Sequence, residues 1–290
     1  MRRTSLLLAF GVLAVAAAAC APANDTSTAS SGAASPAASA TCAKDQLPLT
    51  TPGKLTIGTD KPAFEPWFKN DDPSNGQGFE SAVAYAVAQK LGFTKDEVTW
   101  AVVPFDSSFA PGPKKFDFDV NQISISPERQ KAVDFSQGYY TVKQSVVALE
   151  GSKYAGATTL AELKDAKIGV QAGTTSLQAV QRVIQPASDP SVYNQQIDAI
   201  SALKNKQIDA IVVDLPTGFY VTAAQVEHSK IVGQFAATGG TPEEFGLLMQ
   251  KGSGLASCLD KAVGDLKSSG ELATIETQWL TGSAGAPELK

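Results

Sequence analysis

Twice along this chain the same order of short elements recurs, and that repeat restricts the fold more than any other feature. In the first pass Leu55-Thr-Ile-Gly-Thr-Asp60 is a β-rich run ending in a loop. A helix is predicted over 79–91, with Phe79, Val83, Ala86, Val87 and Leu91 on one face and Gly92 as its stop. Strands are predicted over 98–105 and 116–123. In the second pass a strand over 166–170 leads through a loop into a helix over 173–183. An amphipathic helix over 197–204 and a nearly all-apolar strand over 208–214 follow. Lys115-Phe-Asp117 and Lys206-Gln-Ile-Asp209 each lead into a strand and mark equivalent places in the two halves. A strand over 245–249 and helices over 255–268 and 271–280 have no second-half partners, so they are expected to pack back on the first half. Strand–helix–strand order favours parallel pairing with covering helices, hence an α/β chain of two lobes. Ligands of such sheets bind beyond the carboxyl ends of the strands, which directs attention to the loops that follow them.

The N-terminus is expected to be a targeting segment. Arg2 and Arg3 precede an uncharged apolar run over 6–19 that ends at Cys20. A charged start, a short apolar stretch and small residues before a cut describe a secretory signal, here residues 1–19. The run is shorter than the roughly 20 residues a membrane-spanning helix needs. Ala17-Ala18-Ala19-Cys20 resembles a bacterial lipoprotein signal, which implies that Cys20 is the lipidated mature N-terminus; simple cleavage after an alanine is the other reading. The third residue before the cysteine departs from the Leu preferred there. Residues 21–41 contain no Leu, Ile, Val or aromatic residue and cannot offset their ordering entropy by burial. Residues 20–41 therefore read as a disordered, lipid-anchored tether reaching on the order of 25 Å. The folded part divides into a first lobe over 42–147, a second over 148–240, and a return to the first lobe over 241–290.

Charge and cysteine usage narrow the chemistry. The chain has 24 Lys+Arg against 29 Asp+Glu, which argues against nucleic acid as a partner. A single histidine, His228, and no Cys-x-x-Cys leave no zinc site to expect. With Cys20 lipidated, Cys42 and Cys258 remain in an oxidising compartment. One disulfide is the simplest outcome, two buried thiols the alternative.

Short motifs follow one another in a recognisable order. Gly58-Thr-Asp60 precedes Phe64-Glu-Pro66, then Gly78-Phe-Glu80, then Ser124-Ile-Ser-Pro-Glu-Arg129. Val133-Asp-Phe-Ser136, Tyr139-Tyr140, Gln171-Ala-Gly-Thr-Thr175, Ile208-Asp209, Val213-Asp214 and then Lys267, Gly270 and Trp279 complete the set. From about residue 55 to 280 this resembles the family 3 solute-binding proteins of bacterial ABC importers, the polar amino-acid receptors. The resemblance implies a type II periplasmic-binding-protein-like fold, in which each lobe is a mixed sheet flanked by helices around a ligand cleft. It also implies a free amino acid as ligand, permease subunits as partners, no cofactor, and an exported, monomeric, lipid-anchored protein on the outer face of the cytoplasmic membrane.

The residues themselves suggest where a ligand would bind. Ser126-Pro127-Glu128 reads as a helix start with Arg129 in its first turn. There a cation is disfavoured by the dipole, unless Glu128 compensates it or an anion is bound. A planar guanidinium suits a carboxylate, and by resemblance Arg129 grips the ligand α-carboxylate. Thr174 and Thr175 open a helix whose N–H groups could cap locally or bind an anion; the resemblance puts Thr175 on the same carboxylate. Asp214 closes an apolar strand; it is either a turn residue before Leu215-Pro216 or, by resemblance, the partner of the ligand ammonium together with Ser124. Phe64 and Phe105 would sandwich the side chain, with Asp60, Asn121, Gln122 and Gln171 around it. Asn121 and Gln122 stand where the family has small Ser or Gly. With Arg129 and Asp214 neutralised by ligand, Asp60 disfavours an acidic side chain.

Two rival readings remain at this point. A ligand-sensing lobe protein for a signalling partner would share the whole pattern. A cyclohexadienyl-dehydratase-like enzyme would need a carboxylic acid in the cleft, for which Glu80 is the one loose candidate. There is no nucleophile elbow, no P-loop and no histidine placed to serve a serine. The expectation is a binding protein rather than an enzyme.

Overall fold

The computed structural model describes residues 42–237, 242–280 and 285–290, all within a unit spanning 40–290. The expected signal segment over 1–19, Cys20 and the expected tether through residue 41 lie outside the described residues. None of the described helices is long and apolar enough to cross a membrane.

The first sheet is built from β1 (Leu55–Thr59), β2 (Val98–Val102), β3 (Phe118–Asp119) and β4 (Val133–Val142), with α1 (Phe79–Lys90) and the short α2 (Phe105–Ser108) between strands. The second follows with β5 (Gln144–Leu149), β6 (Ile168–Gln171), α3 (Thr175–Ala179), β7 (Ser191–Tyr193), α4 (Gln196–Lys204), β8 (Ala210–Asp214), α5 (Leu215–Tyr220) and β9 (Ser229–Phe235). Then β10 (Glu243–Gln250), α6 (Ala256–Ser268) and α7 (Glu271–Leu280) return to the first lobe. Strand orders are β2-β1-β3-β10-β4 and β7-β6-β8-β5-β9. In each sheet four strands run one way and one runs against them, β10 in the first and β5 in the second, so the lobes share one plan.

The repeated aspartates have a structural role. Asp117 Oδ2 accepts from Thr56 N at 2.7 Å, and Asp209 Oδ2 accepts from Lys167 N at 2.8 Å. Each carboxylate satisfies a backbone N–H where the neighbouring parallel strand begins, just before its own strand becomes the middle one. Apolar alternation then fills both faces. Ile57, Phe79, Val83, Phe118, Phe245 and Leu259 share one first-lobe cluster, with Ile123, Val133 and Leu248 in the cluster on the other side. Val146, Ile168 and Val212 build one second-lobe cluster, and Leu203, Ile211 and Val213 the other. Cys42 and Cys258 are joined, with Cα atoms 5.5 Å apart, tying the start of the folded part to α6.

Several boundaries differ from the sequence expectation. The strand predicted over 98–105 ends at Val102, and Pro104, with no N–H to donate, caps α2 instead. The strand predicted over 116–123 is only two residues long, because Gln122 has a left-handed φ of +48° and turns the chain toward the cleft. Gln144, Ser145, Val146 and Val147 belong to the second sheet, so the chain crosses at Lys143 and not at 147. The C-terminus does not stay on the first lobe. Gln234 N donates to Pro287 O at 2.7 Å, Leu289 N donates to Gln234 O at 2.9 Å, and Leu289 is buried in a second-lobe cluster.

Candidate ligand site

One cavity is lined from both lobes. Asp60, Phe64, Phe105, Asn121 and Gln122 reach it from the first, and Gln171, Thr175 and Asp214 from the second. These are eight of the ten residues the sequence proposed; Ser124 and Arg129 lie beside it. The eight sit at the carboxyl ends of parallel strands or in the loops and helix starts that follow.

Asp60 ties the first-lobe loops together. Its carboxylate accepts from Lys61 N at 2.7 Å and Phe105 N at 3.1 Å, while burial raises its pKa above the ordinary carboxylate value. Asn121 is buried, and its Nδ2 has no hydrogen-bond partner. Gln122 is held in its left-handed conformation by Glu80, which accepts from Gln122 N at 2.6 Å and also from Gln122 Nε2 and Tyr139 Oη. Glu80 is fully buried under this loop and is not among the cavity-lining residues. Asp119 is likewise buried, neither carboxyl oxygen is hydrogen-bonded, and burial together with Glu80 and Asp60 pushes its pKa well up.

Arg129 departs from its expected setting. Ser126 Oγ does cap, accepting from Arg129 N at 3.2 Å, but only one turn of 3-10 helix over Arg129–Lys131 follows. No helix dipole of useful length is present there. Glu128 pairs with Lys131 at 2.5 Å and leaves the guanidinium to the cleft. That group is buried, 4.7 Å from the Phe109 ring centroid and 5.5 Å from that of Phe105. Burial pushes its pKa down to about 10, so it stays charged at neutral pH. Nη1 donates to Ser124 O at 2.8 Å, and Nη2 crosses to Gly173 O on the second lobe at 3.0 Å. These bonds use two of the five N–H donors.

The second lobe meets this group with a helix start. Thr174 Oγ1 accepts from Leu177 N at 3.1 Å, so Thr174 does the capping and Thr175 is released toward the cleft. Thr175 Oγ1 lies 3.4 Å from Ser124 Oγ. Gly173 has φ +71°, and a Cβ there would lie 2.5 Å from Asp106 Oδ1 of the first lobe. The positive φ is what favours glycine here, and a side chain would also displace the Asp106 carboxylate. Trp67 Nε1 adds a further bond across the lobes, to Thr217 Oγ1 at 2.9 Å. Asp214 ends β8 and precedes α5; burial and the neighbouring Glu243 raise its pKa well above the ordinary value.

Three residues of this region escaped the sequence reading. Gln144 donates to Asp214 Oδ1 at 2.8 Å and accepts from Ser176 Oγ at 2.6 Å; Glu243 accepts from Ser124 Oγ at 2.6 Å. The available signal was polar residues heading apolar strands, Gln144 before Val146-Val-Ala-Leu149 and Glu243 before Phe245-Gly-Leu-Leu-Met249, with no turn to explain them.

The geometry is that of a two-lobed receptor, and the comparisons agree. Residues 55–282 match the family described as bacterial extracellular solute-binding proteins, family 3. The chain belongs to this family. A curated relative, the arginine-binding extracellular protein ArtP of Bacillus subtilis, is 27% identical over 233 residues, covering 79% of this chain and 87% of its own length. A solved ancestral arginine-binding protein bound to arginine has 32% identity and a TM-score of 0.66, covering 78% of this chain and 98% of that one. A solved ancestral amino-acid-binding protein, described as a precursor of cyclohexadienyl dehydratase, has 26% identity and a TM-score of 0.65, covering 79% and 95%. The fold of this family member is α/β with two lobes, as the motifs implied.

Glu80 makes one consequence measurable without any ligand. Burial raises its carboxyl from 4.5 to about 7, against three donors that favour the charged form. The native state therefore holds this proton to higher pH than the unfolded chain does. Its contribution to stability is complete below pH about 4.5 and is lost as pH rises through about 7. Between pH 5 and 8 wild type should lose about 2 kcal/mol that Glu80→Gln keeps. Urea midpoints of both proteins at the two pH values check this; parallel pH dependence would refute it.

Proposed function

We propose that this protein captures a free polar, non-acidic amino acid between its two lobes and delivers it to the permease subunits of an ABC importer. The observation that carries this reading is a cavity lined from both lobes, with Asp214 in its lining and the buried Arg129 guanidinium beside it, bonded across the lobes to Gly173 O. Arg129 and Thr175 receive the ligand carboxylate; Asp214 and Ser124 receive its ammonium. Phe64 and Phe105 flank the side chain, and Asp60, Asn121, Gln122 and Gln171 select it. Glu243, Asp214 and Asp106 all act on the one buried guanidinium, an excess of acid that favours a ligand carrying positive charge. The likeness to arginine-binding relatives supports taking cationic amino acids as the first candidates. Lobe closure about Lys143 and the crossing before Glu243 is driven by contacts the ligand makes to both sides.

Residues 1–19 serve as the export signal and 20–41 as the tether, with Cys20 carrying the lipid that holds a monomer at the outer face of the cytoplasmic membrane. Two acyl chains give an anchor that one does not. A Cys20→Ala chain that remains in the membrane fraction would overturn this part. The structural likeness to a dehydratase precursor raises an enzymatic reading, but Glu80, its candidate acid, is enclosed by Gln122 and Tyr139. The deciding experiment is a thermal-shift screen of the twenty amino acids, since binding to the native state raises its melting temperature by mass action. Solution scattering with the best ligand should show a smaller radius of gyration. If no amino acid shifts the melting temperature, the receptor reading fails.

A further inference from the structure

The corner of the cleft assigned to the ligand amine contains a second carboxylate with no role so far. Glu243 opens β10, where the chain returns from the second lobe. Its Oε1 accepts from Ser124 Oγ at 2.6 Å, and its Oε2 accepts from Gln144 Nε2 at 3.2 Å. The same Gln144 nitrogen donates to Asp214 Oδ1 at 2.8 Å, so one amide holds both acids. Turning Gln144 over would set its Oε1 against both carboxylates; as placed, that oxygen accepts from Ser176 Oγ at 2.6 Å. Neither Asp214 nor Glu243 belongs to an ion pair among the described residues. Arg129, the cation that feels both, spends its bonds on the carbonyls of Ser124 and Gly173.

Proton bookkeeping gives this arrangement a direction. A serine hydroxyl has one proton, and Ser124 gives it to Glu243, so only lone pairs remain for a third group. Asp214 contributes acceptors as well. The corner is thus built of acceptors and carries two acids without a paired cation, a setting that is costly until a positive donor enters. We infer that Glu243 is a specificity-determining residue, positioning Ser124 as an acceptor and adding a second negative charge, so that this corner selects a ligand with a protonated amine over its 2-hydroxy counterpart. This rests on the receptor reading above. A glutamine at 243 could still bridge the two crossings, but its amide could donate to Ser124 and turn the hydroxyl proton toward the ligand.

Calorimetry on wild type, Glu243→Gln and Glu243→Asp tests the assignment. The probes are the amino acids that bind from the set of twenty, each with the 2-hydroxy acid of the same side chain. Glu243→Gln should reduce the amino-over-hydroxy preference roughly 10- to 100-fold, the range for one hydrogen bond to a charged group. Glu243→Asp, which keeps the charge but withdraws it from Ser124, should fall between. A preference within about twofold of wild type in Glu243→Gln overturns the assignment; if that variant does not fold, an unchanged preference in Glu243→Asp does so. Asp214→Asn separates the two levels. If it loses amine selectivity while the Glu243 variants keep it, only this inference fails. If all three keep it, the amine corner itself is misplaced, and if wild type binds no amino acid, the receptor reading falls with it.

Discussion

Arg129→Ala should leave a folded protein whose affinity for its amino acid is lower by roughly 30-fold to several thousand-fold. Truncating one member of a buried, hydrogen-bonded charge pair costs about 2–5 kcal/mol. The ligand carboxylate would keep only Thr175 and the backbone N–H groups at the start of α3. A second loss adds to the first, because Nη2 also bridges to Gly173 O across the cleft, a contact that favours closure. Folding should survive. The guanidinium is a buried cation whose pKa burial lowers to about 10, with no carboxylate within ion-pair distance among the described residues, so its removal strands no salt-bridge partner. Arg129→Lys should recover only part, since a point charge cannot reproduce a planar fork that donates in two directions. Calorimetry with the best ligand from the thermal-shift screen, beside a melting curve, decides the matter. A folded Arg129→Ala that binds within about threefold of wild type would remove Arg129 from the site.

Sequence periodicity carried the fold furthest where local physics and burial agree. The helix over 79–91 was legible because its apolar stripe and Gly92 stop coincide, and the middle strand of the second lobe because an apolar run follows its Lys–Asp lead-in. The role of those aspartates, satisfying Thr56 N and Lys167 N, was not legible, because it depends on a partner 61 or 42 residues away. The candidate site was readable at positions that follow strands, and eight of its residues do share a cavity. What failed were inferences resting on one local pattern. Ser-Pro-Glu signals a helix start wherever the chain continues as a helix, but here β4 begins two residues after Lys131 and leaves a single turn. Glu243, Gln144 and Trp67 act through partners on other elements, and neither spacing nor propensity reports such contacts. The C-terminal residues carry too little pattern to show that Leu289 has a second-lobe cluster to fill.

Removal of the Cys42–Cys258 bond should cost up to about 5 kcal/mol of unfolding stability, with ligand affinity nearly unchanged. The bond closes a loop of sequence separation 216, which takes in the second lobe and most of the first. In the chain-entropy argument the gain grows with the logarithm of loop length, so a closure this long lies near the upper end of the range. Measured gains often fall below that ceiling, because unfolded chains are already compact. Native packing adds a second contribution. Cys258 is buried on the inner face of α6 and Cys42 packs against the same first-lobe cluster, so the bond also anchors the segment carrying Leu47 and Leu49. Neither cysteine lines the cavity, which is why binding should be spared. The comparison is the guanidinium midpoint of the oxidised protein against a Cys42→Ser, Cys258→Ser double variant, where both serines avoid leaving a lone reactive thiol. The double variant is also the safer reference, since a reductant would leave two thiols free to re-form the bond during refolding. Intact mass of the exported protein under non-reducing conditions should lie about two daltons below the dithiol value. Two alkylatable thiols on the native exported protein would show that the bond does not form; coincident midpoints would show that it forms without constraining the unfolded chain.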